Sequence, residues 1–208
     1  MPEPKIIYSK DLPDIWHEEI AAGESLNWLL IFQDKVPREV NLKFLLSERR
    51  SKGEIMLVYL GKEKNETAMN IVLVHEAPET YGRIMVKAAL FDEAKFTLKG
   101  LLKIGENAKG ADSYLSAKSL LMSPQARAEI HPHLEIKNNE VKASHGSSLG
   151  RLDENQLFYL QSRGLELESA QNMILAGFFG EHAYRVFPPS CIKPSSPLGE
   201  GGLIHNRL

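Results

Sequence analysis

Four residues in this chain of 208 carry side chains that bind metals well and sit in suggestive settings: His131, His133, His145 and Cys191. Imidazole and thiolate are the soft or borderline ligands that iron, zinc and copper take in proteins. Cys191 is the only cysteine, so neither an internal disulfide nor a thiolate-only metal site can be built within one chain. It lies in a stretch rich in proline, serine and glycine, with too little apolar structure around it to fix a ligand geometry. His131 and His133 flank Pro132. On a strand that spacing puts both rings on one face, which suits a metal, while the proline points to a sheet edge or turn and to two surface histidines. His145 shares strand parity with Val141 and Ala143, which reads as an inward-facing, satisfied core histidine.

Other catalytic signatures are missing. Gly199-Glu-Gly-Gly202 has neither a strand before it nor a helix after it, so it is no phosphate loop. Gly146 to Gly150 does not spell a nucleophile elbow, which removes Ser147 and Ser148 as nucleophiles. Glu129, Glu135 and Glu140 are spaced as exposed strand and turn positions. The pair Arg49–Arg50 reads as a solvated turn.

Positioning these groups is the task of a mainly β chain. Short apolar runs recur at Trp28–Phe32, Val40–Leu46, Ile55–Leu60, Met69–Val74 and Ile84–Phe91, rich in β-branched residues and separated by polar turns. From Phe96 to Ile104 the alternation is plainest: Phe96, Leu98, Leu102 and Ile104 share one parity, with Gly100 in the middle place. A weak repeat follows. Ile104-Gly-Glu-Asn-Ala108 resembles Met122-Ser-Pro-Gln-Ala126, and a looser copy starts at Ile136, at offsets of 18 and 14 residues. Strand-and-turn repeats of this size suggest a solenoid, with a parallel β-helix and an irregular antiparallel sandwich as the two candidates.

At Asp153 the period becomes helical. Asp153 and Gln156 form a capping box, Leu157, Phe158 and Leu160 an apolar face, and Gly164 a left-handed stop. A second helix is expected from Glu168 to Tyr184, with Met173, Ile174, Gly177 and Phe178 on one stripe, ended by Pro188–Pro189. The expected organisation is an N-terminal arm with a short helix over 1–26 (the amphipathic piece Ile15–Ala22), a β core over 27–150, a helical hairpin over 151–187 and a flexible tail over 188–208.

Composition narrows the function classes. The chain is 43% hydrophobic and 25% charged, with a net charge of −2. No basic stripe marks a nucleic-acid binder. No apolar run is long enough to span a bilayer, and no secretion signal opens the chain. With the lone cysteine, this points to a soluble cytoplasmic protein.

The residues from Gly110 onward resemble a known family. The segments are Gly110-Ala-Asp-Ser-Tyr-Leu115, Ser119-Leu-Leu-Met122, Pro132-His-Leu-Glu-Ile136, Asn139-Glu-Val-Lys-Ala-Ser-His-Gly146, Asp153-Glu-Asn-Gln-Leu-Phe-Tyr-Leu160, Ser162-Arg-Gly-Leu165 and Ala170-Gln-Asn-Met-Ile174, then Gly177-Phe178. In this order and spacing they are similar to the C-terminal part of SufB and SufD proteins, which assemble iron–sulfur clusters. The resemblance implies a right-handed parallel β-helix followed by a helical C-terminal segment. It covers about a third of the chain firmly. Family members are usually about twice as long, so the chain reads as a short or truncated member.

SufB-type chains have a cysteine where this chain has Ala117, and an H-E motif where it has His145-Gly146. Both differences resemble the SufD side. The resemblance then implies that His145 contributes one ligand to a transient cluster shared with a SufB-like partner. Ala143 stands where some SufD-type chains have a cysteine. It implies further that the C-terminal helices dock on SufC, an ABC-type ATPase, with Tyr159, Arg163 and Gly164 near that contact. FAD accompanies some family complexes, and no residue here is assigned to it. The expected role is a non-enzymatic scaffold subunit. The alternative is a homo-oligomeric β-helix structural protein without its own cluster chemistry. A polysaccharide-cleaving β-helix enzyme is a third class, for which no paired carboxylates or basic catalyst appear.

Overall fold

In a computed structural model of the chain, residues 3–13, 15–21, 24–33 and 36–180 are described. Tyr184, the Pro188–Leu208 tail and Cys191 lie outside them. Residues 1–152 form one compact unit and residues 153–208 a second.

The first unit is a parallel β-solenoid. Among the described residues eleven strands run in chain order: β1 (Lys5–Tyr8), β2 (Ile15–Ile20), β3 (Ser25–Phe32), β4 (Glu39–Leu46), β5 (Lys52–Gly61), β6 (Glu66–His75), β7 (Tyr81–Leu90), β8 (Lys95–Ile104), β9 (Asp112–Leu121), β10 (Arg127–Ile136) and β11 (Lys142–Arg151). Odd strands stack in one sheet, β1-β3-β5-β7-β9-β11, and even strands in the other, β10-β8-β6-β4-β2. Every pairing is parallel, which excludes the antiparallel sandwich. One coil is one strand from each sheet plus two corners. From β4 onward, stacked residues of successive coils are about 30 apart: Asn70 Nδ2 donates to Asn41 Oδ1, 29 residues away, and Asn138 Nδ2 to the Glu106 carbonyl, 32 residues away. The 18- and 14-residue offsets in the sequence are the two half-coils, measured from corner to corner.

The sequence patterns map directly onto burial. Phe96, Leu98, Gly100, Leu102 and Ile104 of β8 all face inward, and their neighbours face out. A Cβ on Gly100 would come 2.5 Å from Leu115 Cδ1, so the glycine makes room for the opposite sheet. The continuous runs Trp28–Phe32 and Ile55–Leu60 belong to strands buried on both faces. There Leu29, Ile31 and Val58 are fully buried although they are out of phase with the interior. Inside, Tyr59 stacks on Phe96 at 4.7 Å, and its hydroxyl meets Thr67 Oγ1 at 3.2 Å. Burial pushes the Tyr59 phenol up from its ordinary value, partly offset by that Thr67 bond. Each such ring contributes roughly 2–3 kcal/mol through the area it removes from water.

Corners between the two sheets need left-handed backbone. Arg50 (φ 64), Glu79 (φ 58) and Gly110 (φ 74) stack one coil apart at the same corner. Each donates its N–H to the next coil, to Pro78 O, Lys109 O and Glu140 O. For the two non-glycine residues the conformation costs about 1–2 kcal/mol each. Arg49 and Arg50 both bind the Glu79 carboxylate, and these bonds hold its carboxyl below the usual range. The Arg49–Arg50 turn is solvent-exposed as expected, and it also forms a charged clasp between two coils.

The N-terminal segment differs from expectation. In place of an arm with a short helix, residues 5–20 hold β1, a single 3-10 turn at Ser9–Asp11, and β2. Ile15–Ala22 looked amphipathic because its strand alternation is short; Trp16 packs edge-on to Trp28 at 5.2 Å, and Trp28 to Phe44 at 6.1 Å. These rings close the first coil.

The second unit holds α1 (Glu154–Ser162) and α2 (Leu167–Phe179). Asp153 Oδ1 accepts from the N–H groups of Asn155 and Gln156 at 2.9 and 3.4 Å, the N-cap read from the sequence. Gly164 (φ 90) donates to Gln161 O and stops α1. The buried face of α2 is Ala170, Leu175 and Phe179, not the Met173–Phe178 stripe, and Met173 is exposed. Among the described residues no helix is long and apolar enough to cross a membrane.

Candidate functional site

The final coil differs from those before it. β10 and β11 are the last strands of the two sheets, and each has one side of its backbone unpaired. In register with the buried β9 residues Ser113, Leu115, Ala117, Ser119 and Leu121 stand Ala143, His145, Ser147, Leu149 and Arg151 of β11. These five share the inward phase. Among the described residues no strand lies beyond them, and the interior is open there: Leu149 is 54% exposed, and His145 and Ser147 are exposed too. Only Val141 and Ala143 pack, against Ile104, Ala108 and Ala111.

The expectation of a satisfied core histidine is thus half right. His145 has the inward phase that its parity with Val141 and Ala143 implies. It is not buried, because β11 is the terminal strand. Parity reports which face a side chain takes, and says nothing of whether another coil follows.

Backbone direction sharpens the site. Lys142 N donates to Ala111 O and Leu152 N to Leu121 O, so even-numbered residues of β11 bond to β9. In a parallel ladder alternate residues point their N–H and C=O the opposite way. His145, Ser147 and Leu149 therefore present both backbone groups at the free edge. On β10, Arg127 N donates to Ala94 O and Lys137 N to Ile104 O. The odd residues bond to β8, and Pro132, an even one, falls where its missing N–H would face the free edge. No ladder bond is lost there, as proline in an edge strand requires.

Ala117, the position that the resemblance aligns with a cysteine, is fully buried, in phase with the interior and paired with Ser147. Leu115–His145 is the neighbouring inward pair. Strand spacing and rise place His145 about 8 Å from Ala117, Cα to Cα. Ser119 Oγ, two residues on and also inward, is buried with no hydrogen-bond partner. Among the described residues no three His, Cys, Asp or Glu side chains converge to hold a metal. His131 and His133 are brought together with each other on the outward face of β10, but not with His145, which faces the interior.

Tyr159, Arg163 and Gly164 lie together at the end of α1. The Arg163 guanidinium sits 5.3 Å from the Tyr159 ring centroid, and Tyr159 is 56% exposed. Phe158 beside it is exposed as well, so the apolar face expected from Leu157, Phe158 and Leu160 is not buried along α1.

Reading single residues missed a second inward histidine. His75, the last residue of β6, is wholly buried. Its Nδ1 lies 2.8 Å from Thr80 Oγ1 and its Nε2 3.0 Å from Ser113 Oγ. Thr80 Oγ1 donates to Ala77 O, so it accepts from Nδ1–H, and Ser113 donates to Nε2. Burial, with a smaller push from Arg83 against a pull from Asp112, drops His75 to about 4. Its signal was the parity of Met69, Ile71, Leu73 and His75, which puts it inward.

Residues 20–178 match the family model described as "SUF system FeS cluster assembly, SufBD core domain". The chain belongs to the SufBD family. It is 27% identical over 160 residues to an iron-sulfur cluster assembly SufBD family protein of Mycobacterium bovis, covering 76% of this chain and 19% of that protein. It is 30% identical over 134 residues to one of Staphylococcus saprophyticus, covering 64% of this chain and 29% of that protein. The SufBD match thus spans less than a third of the length of these relatives. It includes the open coil and nearly all of α1 and α2.

Proposed function

We propose that this SufBD chain is a non-catalytic scaffold subunit of the SufD type. In this reading His145 offers one imidazole to a transient iron–sulfur cluster, and a partner chain supplies the remaining ligands. The observation that carries it is the placement of His145: inward in phase, exposed, and with its own backbone at an unpaired sheet edge. A partner adding a strand to β11 would bring its side chains over the open interior beside His145. Alanine at position 117 supports the SufD side, because a SufB-type chain would present a thiol there. The partner reading is a SufB-like chain, with a homodimer as the simpler form of the same edge pairing. ATP hydrolysis would come from a SufC-like ATPase docked near Tyr159 and Arg163.

Anaerobic cluster reconstitution on the co-expressed complex tests the reading. His145→Ala should leave the fold and the complex intact and sharply reduce cluster absorbance. A variant complex that loads cluster at the normal level sinks the ligand role. The homo-oligomeric reading, with no cluster chemistry, rests on the same open edge. It wins if the chain dimerises through β11 and His145→Ala changes nothing in cluster loading.

A further inference from the structure

The outward face of β10 carries an alternating row of Glu129, His131, His133 and Glu135, all exposed. This row is on the opposite side of the strand from the interior that His145 faces. The geometry points to a second metal site here: His131 and His133 chelate a late first-row divalent cation, with water completing its shell.

Three features carry the inference. First, side chains two apart on a strand point the same way, with about 6.6 Å between their backbone positions. Two imidazole arms can lean across that gap to meet one ion at about 2.0–2.1 Å. Second, the strand is held rigid: β10 pairs with β8 along its whole length from Arg127 to Ile136. Pro132 sits between the histidines and fixes its own φ, so the two rings need little backbone ordering to act together. Third, Glu129 Oε2 lies 3.4 Å from His131 Nε2. A carboxylate accepting from one ring nitrogen fixes the tautomer and leaves Nδ1 with a free lone pair, the arrangement in which histidines ligate metals.

The facing groups on β8 are mixed. Lys99 is paired in register with His131, and Leu101 with His133. Lys103 reaches Glu135 at 3.6 Å. Lys99 opposes a cation, and Glu129 favours one. Imidazole pairs without thiolate select nickel, copper and zinc over calcium and magnesium. Because only two ligands come from the protein, the site suits a labile ion rather than a permanent structural one. It is independent of the cluster reading, which uses His145 on the interior side.

The test is calorimetric titration of the metal-stripped full chain with Ni2+ near neutral pH. One ion should bind per chain. His131→Ala and His133→Ala should each weaken binding by at least about tenfold, since either turns a chelate into a single contact. His17→Ala, removing a histidine on β2 at the other end of the same sheet, should change nothing. All three residues lie on the outward faces of edge strands, and circular dichroism confirms that each variant is folded. Absence of Ni2+ binding overturns the inference, as does unchanged binding in both variants. Weakening in only one of the two shows a lone ligand and overturns the chelate as well.

Discussion

Among the described residues two histidines face the interior of this solenoid, and their surroundings differ in every respect. His75 sits in a middle coil, fully buried, with Thr80 and Ser113 on its two ring nitrogens. His145 sits in the last coil with the same inward phase and stands in solvent. The difference is set by position along the stack. A middle coil has neighbours on both sides, so any polar group inside must find partners or cost about 1–3 kcal/mol. The last coil has a neighbour on one side only, and its inward row can hold ionisable groups without that cost. A solenoid therefore offers inward-facing chemistry most cheaply at an open end.

The largest expected effect separates the two ladders of the terminal strand. Ser148→Pro removes a bond from β11 to β9, because even residues there donate inward to the stack. It should destabilise the solenoid by about 3 kcal/mol or more. Ser147→Pro, one residue earlier, places proline where the N–H already faces the free edge. It should leave urea stability nearly unchanged while abolishing association through β11. Pro132 shows that the fold accepts proline in this phase on the neighbouring edge. Paired urea titrations and sedimentation runs check both outcomes, and equal stability loss in the two variants breaks the comparison.

Next in size is the buried histidine itself. His75→Ala leaves Ser113 and Thr80, both almost fully buried, without their ring partner and opens a cavity between coils. A loss of about 2–4 kcal/mol follows, read as a drop in the urea midpoint. The same truncation at His145 removes no buried contact.

How much of this contrast the sequence revealed depended on how local the cause was. The phase of His145 was legible from Val141 and Ala143, and the strand from Phe96 to Ile104 from its alternation alone, because side-chain period is a local property. Burial was not legible, since it depends on the stacking of coils about 30 residues apart. For that reason β1 and β2 were misread: each is too short to show a period, and they become strands by pairing with β3 and β4. The stripe on α2 failed similarly, because Met173 and Phe178 are apolar while the face that is buried is decided by tertiary packing. The family motifs, Ser144-His145-Gly146 among them, revealed the family where periodicity revealed only strands.

Acid probes the buried histidine by a smaller margin. His75 titrates at about 4 in the folded chain and near 6.5 when unfolded. A depressed folded value means that the unfolded state binds the extra proton between those limits. The stability held by neutral His75 is therefore complete above pH 6.5 and is lost as pH falls towards 4. Between pH 7 and 5 the loss is about 2 kcal/mol. His75→Leu should flatten that part of the stability–pH curve, and an unchanged slope would place the acid sensitivity elsewhere.

The smallest stability effect is expected at the residue with the largest proposed role. His145→Ala should shift unfolding free energy by less than about 0.5 kcal/mol, as for an exposed side chain with no buried partner. Its effect should appear only in cluster loading by the assembled complex. Stability and function thus separate at the two inward histidines. His75→Ala costs much stability, and any loss of loading it causes should track the unfolded fraction. His145→Ala should lower loading in fully folded protein. Measuring both quantities on both variants decides whether the open coil is a site or merely the place where the stack stops. If loading falls in His145→Ala only as far as folding does, the open end is the end of a stack and nothing more.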